Sequence, residues 1–256
     1  MSTDVLTHRL DRPETTHSTI EPAQHTAAKV IGFLYLFQMA TGVFGESYVR
    51  GQLIVGDATK TAQNIIRAER LFRLSIAGDL VTYTTVIVLI WALYVLLRPV
   101  NRNLVLLAVF FRLAENAVLC VASVNSLVAL KLLSGADYLK TFEVSQLHSL
   151  ARLALSAQGL EMNVGFILLG LGSTVFAYLL LKSRYVPKAL AAWGIFSSLV
   201  LAIVTLAIIV FPSLGNVMGL AYMAPMGIYE VGLGLWLLIK GIQAPSAQRV
   251  GRESSL

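Results

Sequence analysis

Six apolar stretches, each about as long as a bilayer core is thick, leave this chain few folds to choose from. They run approximately over residues 28–47, 73–97, 104–133, 160–181, 189–211 and 217–239. About 20 apolar residues cross the hydrocarbon core as a helix. Hydrocarbon offers no partner to a backbone amide or carbonyl, so only helices and closed barrels can span it. None of these stretches alternates as a barrel strand does. The expected fold is all-α, a polytopic integral membrane bundle of six transmembrane helices with the lipid bilayer as its main partner. Composition agrees: 56% of the 256 residues are hydrophobic and 13% are charged. A soluble domain carries roughly a quarter charged residues, and one soluble core of this size could not hide so much apolar surface.

The second, fourth and sixth segments end alike, in Tyr94–Arg98, Tyr178–Lys182 and Trp236–Lys240, with an aromatic residue four positions before a base. Tyr and Trp settle at the headgroup level, and Lys or Arg reaches just beyond. Three such ends on alternate helices face one side. The loop after segment two carries Arg98 and Arg102, the loop after segment four carries Lys182, Arg184 and Lys188, and neither holds an acid. The positive-inside rule therefore places these loops and both termini in the cytoplasm. The net charge of +6 is a topology signal, with no nucleic-acid partner implied. Residues 1–27 are read as a disordered cytoplasmic tail, 28–241 as the transmembrane domain and 242–256 as a flexible cytoplasmic tail. A cleaved signal peptide in the first segment is the weaker alternative, because a long polar region precedes it and no small-x-small site follows.

The loops on the opposite side carry structure of their own. Asp57 is placed to cap a helix with Ala62, Ile65 and Ile66 on its apolar side. Residues 138–155 bring Tyr138, Phe142, Leu147 and Leu150 into a second amphipathic stretch. Both read as interfacial helices or helix extensions.

At 1.5 Å of rise per residue, the inner anchors become a depth ruler. Arg112 lies about 15 Å and Glu115 about 20 Å from Arg102, and Glu230 about 15 Å from Lys240. All three, with Asn116, fall near the middle of a core about 30 Å thick. A charge there costs roughly 2.5–3.5 kcal/mol on insertion scales, so it must face protein or a water-filled cavity. Arg112 and Glu115 can pair on their own helix, and Asn116 could help satisfy the guanidinium. A purely structural pair needs no second carboxylate, yet Glu230 remains. Pro225 is expected to kink the helix that carries it. A second set of polar residues gathers near the outer boundary: Glu46, Arg50, Arg73, Asp79, Gln158 and Glu161. Arg50 or Arg73 could simply neutralise Glu46 and Asp79 there; the sharper reading is a cation-attracting mouth to a cavity. Whether either layer is structural or functional stays open at this level.

Several fixed stretches carry a resemblance. They are Glu46-Ser-Tyr-Val-Arg50-Gly51, Leu97-Arg98-Pro99-Val100-Asn101-Arg102-Asn103, Phe110-Phe-Arg112-Leu113 and the run from Glu230 to Gly241. Together they resemble a family of bacterial multi-pass membrane proteins catalogued as a domain of unknown function (four-three-eight-six). The resemblance spans about residues 27–242. It implies a membrane fold and a bacterial inner-membrane location, and transfers no functional residue.

Other signals are bland. Gly194, Ser198 and Ala202 form one small-residue ridge and Gly215 with Gly219 another; both are read as tight contacts inside the bundle, with homo-oligomer formation as the alternative. Cys120 is read as a packing residue. His8, His17 and His25 are too widely spaced for a helical ligand pair, so no metal site and no cofactor is expected. No metalloprotease, nucleophile-elbow or phosphate-loop motif is present, and no catalytic residue is assigned. Three functions remain: a carrier or permease-like protein for a small solute, proton-coupled through Glu230; a membrane-embedded enzyme on a lipid-like substrate; and a sensor or accessory protein. They differ in whether the two polar layers line one connected cavity.

Overall fold

Each of the six apolar stretches is helical in the computed structural model, which describes residues 21–219 and 221–243. His8 and His17, with most of the N-terminal tail, lie outside the described residues, as does the C-terminal tail from residue 244. Eight helices can be followed: α1 Pro22–Leu53, α2 Ala58–Arg67, α3 Glu69–Leu97, α4 Arg102–Leu132, α5 Val144–Ser183, α6 Lys188–Val210, α7 Pro212–Met218 and α8 Ala224–Ile239. Six helical spans are long and apolar enough to cross a membrane, the last counted from Ala221. No strand occurs among the described residues.

Local chemistry explains the helix starts. Glu21 and Gln24 form a reciprocal capping box ahead of Pro22, and Glu143 with Gln146 does the same for α5. Asn101 Oδ1 accepts from the Leu104 amide at 3.0 Å, and Asp57 Oδ1 from the Lys60 amide at 2.7 Å. The cap expected at Asp57 is therefore present. On α2, Ala62 and Ile65 are buried whereas Ile66 faces outward.

The boundaries differ from the sequence reading in two places, at α1 and in the sixth segment. α1 begins at Pro22, inside the stretch assigned to the tail, and Gln24 in its otherwise exposed first turn is buried: its Nε2 donates to the Leu96 carbonyl and to the Tyr185 hydroxyl. α5 runs 40 residues, about 60 Å, with residues 144–155 forming the helix extension that was one of the two sequence readings. The sixth segment is interrupted. α7 ends at Gly219, whose φ of +51° suits glycine, and a turn at Ala221–Met223 precedes α8. Pro225 thus sits in the first turn of α8, where its missing amide has no helical partner to lose, and does not kink the helix. Gly215 and Gly219 consequently form no ridge on a long helix.

The six spans pack as a closed ring, each against its neighbour in sequence, with α8 closing onto α1. Small residues set the closest approaches. A Cβ on Gly32 of α1 would come 2.7 Å from the Gly234 carbonyl oxygen of α8, and one on Gly170 of α5 would come 2.6 Å from that of Ser198 on α6. Gly194 accommodates the Tyr229 ring. The Gly194–Ser198–Ala202 ridge is therefore used within the bundle. Outside, Trp91, Phe110, Ile203 and Ile228 are 60%, 66%, 62% and 64% exposed, as residues facing lipid would be.

The ring has two unlike ends. At the end holding the 98–101 and 184–187 connections, Leu93, Leu97, Val105, Phe176, Leu180 and Leu237 belong to one buried apolar cluster. The Gln24 bonds and a bond from the Gln243 amide to the Tyr185 carbonyl, 2.8 Å, tie the chain ends across it. At the other end, α2 packs on α5, and Arg152 Nε donates to the Val55 carbonyl at 3.2 Å.

Candidate ligand cavity

Between these ends the ring encloses a cavity of about 850 Å³. Its wall is built by α1, α3, α4, α5 and the first half of α8; α6 contributes nothing to it. It is open to the outside: among its lining residues Gly42, Val43 and Gly51 of α1, Ser156 and Gly159 of α5 and Ala224 of α8 are exposed. It reaches inward as far as Arg112 and Glu230, and the apolar cluster closes it beyond them.

Both polar layers read from the sequence meet on this wall. Glu46, Arg50, Asp79 and Gln158 line its outer part, and Arg112, Glu115, Asn116 and Glu230 its inner part. Two outer candidates stand apart. Arg73 pairs with Glu69 on the exposed side of α3, Nε to Oε1 at 2.7 Å, and does not reach the cavity. Glu161 accepts from Asn125 Nδ2 at 2.6 Å, joining α5 to α4 away from the cavity.

The outer layer is a network. α1 changes its winding at Val43–Arg50, where the backbone bonds skip five residues instead of four. From this wider turn Arg50 reaches Glu46 on its own helix at 2.9 Å and Asp79 on α3 in a second ion pair. Gly45 makes room: a Cβ there would sit 3.1 Å from Asp79 Oδ1 and 3.2 Å from Arg50 Nη1. Gln158 of α5 donates to Glu46 Oε1 at 3.3 Å and accepts from Ser126 of α4 at 3.4 Å. Four helices are stitched together by one buried guanidinium and its partners.

The inner layer is less closed. Arg112 Nη1 lies 2.7 Å from Glu115 Oε2, an ion-pair contact that is not aligned as a hydrogen bond. The stem of Arg112 runs over Gly172 of α5, where a Cβ would come 2.9 Å from its Cγ. Asn116 does not complete the guanidinium's shell, contrary to the sequence expectation; its Oδ1 is buried without a partner. Among the described residues Glu230 has neither an ion pair nor a hydrogen bond, although it is only 8% exposed. Tyr35 and Tyr229 are the buried phenols nearest this layer, within electrostatic reach of Glu230.

A family model described as Domain of unknown function (DUF4386) matches residues 30–241. The chain belongs to this family. No curated protein and no solved structure matches it. Its six apolar helices make this DUF4386 member a multi-pass membrane protein, and the cavity is where its polar chemistry is concentrated.

Sequence reasoning passed over several residues of this DUF4386 cavity. Gln38, Tyr83 and Asn163 also line it, as does Thr82, whose hydroxyl donates to Thr41 at 2.8 Å between α3 and α1. The signal was available: each is a polar group inside an apolar run at the depth of one of the two charged layers. Uncharged groups cost less in lipid than ionised ones, so they stand out less in a search for expensive residues.

Proposed function

We propose that this protein is a small-solute carrier of a cell membrane, coupled to protons through Glu230. The observation that carries the reading is a single open cavity joining both polar layers, closed on its inner side by apolar packing. A carrier needs a central site reached from one side at a time, and such sites lie near the bilayer midplane. Glu230 supplies the coupling group by charge count. Arg112, Glu115 and Glu230 together carry one net negative charge when all are ionised, and Arg112 is engaged with Glu115. Taking up one proton on Glu230 makes the buried layer neutral, which changes what the cavity can hold. A lipid-directed enzyme is less well supported, since one of the two glutamates it would use as acid and base is held by Arg112. The orientation follows the basic loops, with both termini in the cytoplasm and the α2 end outside, in the inner membrane of a bacterium.

Alternating access is the test. In a Cys120→Ser background, Ser156→Cys on the rim should react with an impermeant maleimide from the α2 side. Ala108→Cys, in the closed apolar half, should react from the opposite side under some condition of pH. Silence of the Ala108 site from that side at every pH, with the protein folded, sinks the carrier reading. For orientation, Thr59→Cys should be labelled from outside intact cells and Ser183→Cys should not; the reverse pattern overturns the topology.

A further inference from the structure

We infer that the inner end of the cavity binds an organic ammonium ion with an apolar body, its charged head at Glu230. The wall holds four carboxylates, Glu46, Asp79, Glu115 and Glu230, against three guanidinium groups, Arg50, Arg112 and Arg152. The surplus negative charge is not spread evenly. Arg50 engages Glu46 and Asp79, and Arg112 engages Glu115. Glu230 is left facing the cavity with no counter-ion of its own among the described residues.

The hydrogen-bonding balance points the same way. Glu230 and Asn116 are 92% and 95% buried by complement of their 8% and 5% exposure, and both line the cavity. Among the described residues Glu230 makes no hydrogen bond and no ion pair, whereas the Asn116 carbonyl oxygen, also without a partner, is sealed from the cavity. An unpaired carboxylate on the wall calls for a ligand that is positive and donates. An anionic ligand is disfavoured, because the one guanidinium at this depth already holds Glu115. A hard inorganic cation would want about six oxygens, more than one carboxylate supplies.

The remaining wall describes the rest of the ligand. Met39, Leu119, Met162 and Phe166 also line the cavity. A cavity of about 850 Å³ takes a body of several rings or a long chain. Methionine side chains repack around such bodies and tolerate variation in their shape. The ammonium head and a proton would satisfy Glu230 in the same way, so binding one displaces the other. Arg112 and Glu115 from α4, Tyr35 from α1 and Tyr229 from α8 are the groups that set this balance.

The inference rests on the carrier reading for what the cation is there for, not for whether it binds. The probe is dansylcadaverine, a fluorescent primary amine, against its neutral N-acetyl derivative, titrated onto the full chain in lipid nanodiscs with empty nanodiscs subtracted. The amine should bind at least about tenfold more tightly than the acetyl derivative. Glu230→Gln should bring that ratio to about one. Arg73→Gln, remote from the cavity, should leave it unchanged. Equal binding of the two probes to the parent protein overturns the inference, as does a folded Glu230→Gln protein that keeps the preference. If Glu230→Gln does not fold, the comparison of the two probes on the parent protein decides. Loss of the amine preference with two-sided labelling intact leaves a carrier for another class of solute. A kept preference without two-sided labelling leaves a cation-binding protein that does not transport.

Discussion

The outer and inner polar layers hold the same inventory, one arginine and two carboxylates, and use it differently. Arg50 pairs with both of its acids, one on its own helix and one on α3, and Gln158 extends the set to α5 and α4. Arg112 pairs with one acid, three residues along its own helix, and the second acid arrives from α8 without a partner. A pair within one helix holds nothing together between helices. The outer layer therefore acts as a clamp, and the inner layer keeps a charge in reserve on the cavity wall. Identical composition at two depths gives a structural element in one place and a candidate binding element in the other, because the partners come from different helices.

The comparison is broken most directly at Arg50. Arg50→Met leaves Glu46 and Asp79 buried with nothing to balance them. Breaking a buried pair by removing one partner costs about 3–5 kcal/mol, and here two acids lose the same partner. This should be the largest loss of thermal stability in detergent among the variants considered. Replacing Arg50, Glu46 and Asp79 together by Met, Gln and Asn should be milder than Arg50→Met alone. If the triple variant is the worse of the two, the outer layer is not a charge clamp.

At the inner layer the two glutamates should separate. A double-mutant cycle between Arg112→Met and Glu115→Gln should show a coupling of about 0.5–3 kcal/mol, the range for contacting residues. The cycle between Arg112→Met and Glu230→Gln should show a smaller one. Additive behaviour at Glu115 would mean that the 2.7 Å contact carries no energy.

Glu230→Gln itself should change stability by no more than about 1 kcal/mol, since it has no partner to lose and removes an uncompensated charge. Its effect should appear in the chemistry of the cavity. Infrared difference spectra of the parent protein should contain a carboxyl band that responds to pH and is absent from Glu230→Gln. A band that survives the substitution assigns the proton to another residue. Glu115→Gln, by contrast, should cost stability and keep the band.

Much of this layout was legible in the sequence because helix rise is constant. Counting residues from a basic anchor placed Arg112, Glu115 and Glu230 at one level and Glu46, Asp79 and Gln158 at another, and both levels are on the cavity wall. What counting cannot supply is direction around the helix axis and the identity of the neighbour. Asn116 was at the right depth, but its carbonyl oxygen has no partner and Arg112 turns to Glu115. Glu161 was at the right depth, but it meets Asn125 across the α4–α5 contact. The break before α8 was hidden for another reason. The stretch from Val217 onward stays apolar through Gly219, and hydropathy is blind to the backbone reversal that a left-handed glycine permits.

Arg73 makes the sharpest use of this limit and carries the smallest expected effect. By depth alone it is Arg50's equal, and either could have neutralised Asp79. The two differ in what surrounds them. Arg50 is 4% exposed and holds acids from two helices, whereas the side chains of Arg73 and its partner Glu69 are 55% and 50% exposed. An exposed pair four residues apart on one helix contributes about 0.3–0.5 kcal/mol, because water screens the attraction and holding two long side chains costs entropy. Arg73→Gln should therefore shift the detergent melting temperature very little, leave the Ser156 labelling unchanged and spare the amine preference at Glu230. Arg50→Met should fail the first of these measurements badly. If the two substitutions cost the same, depth in the membrane would decide an arginine's worth. If they part as expected, the deciding quantity is which side of the helix faces the cavity.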